Sequence, residues 1–99
     1  MKAGPYQVAD QDTQIRALAA MTGTQGQMPE TPAEKDVLIL GMVATALGKH
    51  ISWAQIGTAL GWGSGREAKR TAHALRRGTE ARLRREAVDA ELARYAGHG

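Results

Sequence analysis

Arg66, Lys69, Arg70, His73, Arg76 and Arg77 are the side chains of this sequence best spaced to do chemistry together. On a helix over 64–77 they fall within an arc of about 120° at 100° per residue. Ala68, Thr71, Ala72 and Leu75 share a different arc, and only Glu67 and Ala74 lie between the two. A solvated helix face usually mixes acids with bases. Here the cations are sorted away from the apolar residues, and such a face is suited to binding a polyanion. From Arg66 to Arg85 there are eight Lys/Arg against Glu67 and Glu80, a local +6 in a chain of net charge +3.

Other chemistries find little support. The chain has no cysteine, which removes a disulfide framework, a thiolate metal site and a thiol nucleophile. His50, His73 and His98 are far apart, with no second ligand at metal-binding spacing. Ser52 and Ser64, the only serines, are both read as helix caps. Gly61-x-Gly63-x-Gly65 begins like a dinucleotide fingerprint, but Arg66 stands where its third glycine belongs and no strand pattern precedes it. With no carboxylate pair either, neither an enzyme nor a metal or cofactor is expected.

The elements that must position the basic face are short helices. Hydrophobic residues make up 42% of 99, but 18 of them are alanine, and Phe is missing altogether. Such a composition suits a small helical bundle better than a sandwich of β-branched and aromatic strands. Residues 1–9 show no pattern. A short helix is expected from Asp10 or Asp12, with Ile15, Leu18 and Met21 at helical spacing. A polar, glycine-bearing linker over 22–30 follows it. Thr31-Pro32-Ala33-Glu34 is a capping box with proline at the first helical position. It opens a helix predicted to run to about Leu47, stop at Gly48 and be buried nearly all round, with Gly41 marking a close helix approach. Ser52 to Gln55 and Ser64 to Glu67 are two more capping boxes, predicting helices 52–60 and 64–77. Gly78 then ends one helix and Thr79 caps a last one over 79–96. The fold expected is all-α with about five helices: an N-terminal segment 1–30, then a bundle over 31–99.

Residues 52–77 hold a short helix ending in Leu60-Gly61, a tight turn, and a second helix with the basic face. Ile56 and Leu60 are placed to pack on Ala68, Ala72 and Leu75. Gly57 permits close approach, Gly61 supplies a left-handed residue, and Trp62 plugs the core. This stretch resembles the helix-turn-helix modules of bacterial and phage transcriptional regulators. The likeness covers about a quarter of the chain, and the turn is one residue longer than the usual pattern, with Gly63 as the addition. The resemblance implies double-stranded DNA as partner, with Gly65, Arg66, Lys69, Arg70 and His73 toward base edges in the major groove. Arg76 and Arg77 would meet phosphates. So would Lys49, His50, Ser52 and Gln55 around the amide end of the preceding helix. Two other readings of the same residues are a protein-interaction or assembly adaptor and an RNA binder.

The last helix carries two apolar strips about 140° apart. One is Ala81, Val88, Leu92 and Tyr95; the other is Leu83, Ala87 and Ala90. One strip is expected to face the domain and the other a partner, with a homodimer through Val88, Leu92 and Tyr95. The longest apolar run, Val37 to Leu47, is shorter than the roughly 20 residues a membrane span needs. A cytoplasmic location is the expectation.

Overall fold

A computed structural model describes residues 10–96 and, for residues 95 and 96, the backbone alone. The patternless residues 1–9 and His98 lie outside the described residues. Four helices follow one another: α1 (Gln11–Thr22), α2 (Pro32–Gly48), α3 (Trp53–Leu60) and α4 (Gly65–Ala96). No strand occurs among the described residues.

Local chemistry accounts for each start. Asp10 caps α1, its carboxylate accepting from the Thr13 N–H at 2.8 Å. That bond holds the Asp10 carboxyl below its usual range. Thr31 and Glu34 bond reciprocally ahead of α2, with Pro32 just inside the helix. Ser52 and Gln55 do the same for α3, and Ser64 and Glu67 for α4. Each box satisfies amides that a helix start leaves unpaired.

One core unites the four helices. Leu18 of α1, Ile39 of α2, and Ile56 and Leu60 of α3 are fully buried, with Ala68 and Ala72 of α4 beside them. The N-terminal helix thus belongs to the same core as the rest. Buried Gln14 fastens it there by donating to the Leu60 carbonyl at 3.1 Å. That bond satisfies an acceptor at the open end of α3. At the first residue of α1, Gln11 donates to one Asp36 carboxylate oxygen, and Arg82 of α4 lies 3.9 Å from the other. Between α1, α2 and the linker lies a cavity of about 400 Å³ lined by Ile15, Ala19, Met28, Leu38 and Met42, with Arg16 beside them.

Two expectations need correction. Gly78 and Thr79 do not separate two helices, because α4 runs unbroken for 32 residues. Alanine, arginine, leucine and glutamate flank Gly78 on both sides, and one exposed glycine costs such a helix only about 1 kcal/mol. Thr79 is buried within the helix, and its hydroxyl has no partner among the described residues. Nor is α2 buried all round. Val37, Gly41, Ala44 and Thr45 form its solvent side, and a Cβ on Gly41 would meet nothing within 4 Å. The bundle has too few helices to cover that face. Helix α2 does end at Gly48, and the left-handed residue that follows it is His50 (φ 66°). His50 N–H donates to Leu47 and Ile51 N–H to Ala46, closing the helix end while half-buried Ile51 packs on the core.

Candidate nucleic-acid interface

The two helices that flank the turn are held together by contacts only glycine allows. Gly57 is buried at the crossing of α3 and α4. A Cβ there would stand 2.4 Å from the Gly63 carbonyl oxygen and 3.0 Å from the Ala68 Cβ. Gly61 (φ 72°) ends α3, and Trp62 follows into the core, its N–H donating to the Gly57 carbonyl at 2.8 Å. The additional residue, Gly63, is accommodated at φ 96°. Leu75 packs half-buried on the same core, and so does Trp53.

With Ala68 and Ala72 turned inward, the opposite side of α4 faces solvent. Arg66, Lys69, Arg70, Arg76 and Arg77 are all exposed, and none of the five is in an ion pair among the described residues. His73 lies among them on this face but is half-buried. From Val37 through Thr79 the sequence holds a single acid, Glu67, whose carboxylate accepts from the Ser64 N–H at 3.0 Å. The field around the start of α4 is therefore set by cations.

The structure brings some of the predicted site residues together and separates others. Gly65 is half-buried: a Cβ on it would lie 3.1 Å from the Ala54 amide nitrogen. It is a packing residue that sets the first turn of α4 against the first turn of α3. Through this contact the two helix starts lie side by side, so exposed Ser52 and Gln55 adjoin the start of the basic face. Their side chains are engaged in the α3 cap, with Gln55 Oε1 accepting from the Ser52 N–H. Lys49 is drawn elsewhere. Its Nζ donates to the Thr22 carbonyl at 2.8 Å, where a cation suits the C-terminal end of α1. His50 is exposed beside it.

The C-terminal half of α4 differs from expectation. Neither apolar strip packs on the domain beyond Arg82, since residues 83–94 are all exposed. The side chain of Tyr95 lies outside the described residues. No group of three or more His, Asp or Glu among the described residues could hold a metal ion, and none of the described helices is long and apolar enough to cross a membrane. Comparison of the chain with known families, curated proteins and solved structures finds no match.

Proposed function

We propose that this chain is a sequence-specific double-stranded DNA-binding protein, a transcriptional regulator that lays the N-terminal half of α4 in the major groove. The observation that carries this reading is the row of five exposed cations on α4, none ion-paired among the described residues, opposite a buried alanine face. An α-helix fits the major groove, and arginine can bond guanine O6 and N7 together. Arg66, Lys69 and Arg70, nearest the helix start, are assigned to base edges, with His73 one turn further on. Arg76 and Arg77 are assigned to phosphate. The neighbouring start of α3, where Ser52 and Gln55 are exposed, is assigned to a second phosphate. Gly65 serves by letting the two helix starts meet.

Selection of bound duplexes from a random pool tests the reading. A defined site should emerge, and Arg70→Ala should weaken binding to it by about 1–3 kcal/mol while relaxing preference at one position. Equal loss on the selected and on random duplexes would move Arg70 to the phosphate-contacting residues. Failure to enrich any duplex, with capture of RNA or an acidic peptide instead, would refute the proposal.

A further inference from the structure

Beyond Arg82, residues 83–94 of α4 are all exposed among the described residues. Val88 and Leu92 are 56% and 61% exposed, two of the four large apolar side chains that the described surface displays, while Leu83, 51% exposed, lies on the other strip. A stretch this short is marginal as an isolated helix in water, so a partner would stabilise it. We propose that residues 78–95 of α4 pair antiparallel with the same segment of a second copy of this chain. The inference stands on this segment alone and does not depend on DNA binding.

The spacing supplies the seam. Positions 78, 81, 85, 88, 92 and 95 alternate steps of three and four, the repeat of a two-helix coiled coil. Gly78 is exposed, which sets that end of the seam clear of the core face, while Ala81 is half-buried. One antiparallel register pairs 85 with 88, 81 with 92, and 78 with 95 of the second copy. Size complementarity favours it. Ala81 meets Leu92, and Gly78, where a Cβ would touch nothing, falls opposite the position of Tyr95.

Charge favours the same register. Arg84 and Glu91 flank the seam, and each comes opposite the other's counterpart in the second copy, giving two unlike pairs. Within its own chain Arg84 is in no ion pair among the described residues, and Glu91 is paired with Arg94 at an exposed site one turn on. Arg85 lies opposite Val88, where its stem covers the apolar side chain while the guanidinium reaches water. A parallel pair would set Arg85 against Arg85 and bring the two basic blocks side by side. Paired residues over 78–95 span about 27 Å. Such a seam buries about 1,000 Å² in all, the small end of stable interfaces, and the expected association is in the micromolar range.

Sedimentation equilibrium of the full chain from about 5 to 500 µM, spanning that range, should show a monomer–dimer equilibrium. Leu92→Glu should raise the dissociation constant at least about tenfold, leaving the melt of dilute protein unchanged because Leu92 is exposed in its own chain. Glu91→Arg should weaken the dimer, and adding Arg84→Glu should restore it. Because the chain has no cysteine, Ala74→Cys gives a single site for spin labels. The antiparallel register sets them about 40 Å apart, whereas a parallel pair would bring them within about 15 Å. A monomer throughout, a dimer indifferent to Leu92→Glu, no rescue by the charge swap, or a short label distance would overturn the proposal.

Discussion

Gly57→Ala and Gly41→Ala make the same chemical change inside two helices, and the structure predicts opposite signs for them. A Cβ on Gly57 would lie 2.4 Å from the Gly63 carbonyl oxygen, 3.0 Å from the Ala68 Cβ and 3.1 Å from the Ser64 carbonyl oxygen. The nearest atom is backbone, on a turn pinned by the bond from Trp62 N–H to the Gly57 carbonyl. Relief therefore means moving the turn and parting α3 from α4. Overpacking of this kind costs about 3 kcal/mol at the upper end of its usual range. The better helix propensity of alanine offsets about 1 kcal/mol. A net loss of about 2 kcal/mol lowers Tm by roughly 8–16 °C in a domain of this size. On Gly41 the added methyl meets nothing, so only the propensity gain of about 1 kcal/mol remains, raising Tm by roughly 4–8 °C. Thermal and urea unfolding followed by far-ultraviolet circular dichroism would measure both. Gly57→Ala as stable as the parent would refute the close crossing of α3 and α4. A destabilised Gly41→Ala would restore the close approach that the sequence led us to expect there.

Three further outcomes follow from the same contacts. Gly78→Ala and Thr79→Val should each stabilise the protein by about 1 kcal/mol, the first by propensity and the second by removing an unpartnered buried hydroxyl; if a turn and a cap lay there, both would destabilise it. Lys49→Ala should cost about 1 kcal/mol of stability through its lost bond to the Thr22 carbonyl while leaving the salt dependence of DNA binding unchanged. A shallower salt dependence would return Lys49 to the phosphate contacts. The Asp10 carboxyl is held below the ordinary aspartate value of about 3.8 by bonding to Thr13. Its stabilising contribution should therefore be complete above that pH and fade as pH falls through the lower folded value. Asp10→Asn, which keeps a capping oxygen, should remove this part of the acid dependence in pH-jump melts.

Features built from neighbours three or four residues apart were legible in the sequence. The three capping boxes, Gly57, Gly61 and the division of 66–77 into buried and exposed arcs all rest on such local spacing. What depends on distant contacts was not. Lys49 is committed to Thr22, 27 residues earlier, and no local pattern could announce that bond. Gly65 reads as part of the presented face until the backbone of Ala54 is found against it. Gly78 followed by threonine has the letters of a helix end and a cap. Strong helix formers on both sides and the burial of Thr79 decided otherwise. Runs of apolar letters also overstated burial: Val37 to Val43 could be enclosed only by more helices than this chain has.

The central claim is that the exposed cations of α4 bind duplex DNA by neutralising its phosphates. Its most direct test is the anisotropy of a labelled random-sequence duplex titrated with the full chain at several salt concentrations. With about five phosphates neutralised, log affinity should fall against log salt with a slope of roughly −4 to −5. Absence of binding at low salt, or an affinity indifferent to salt, would contradict the account.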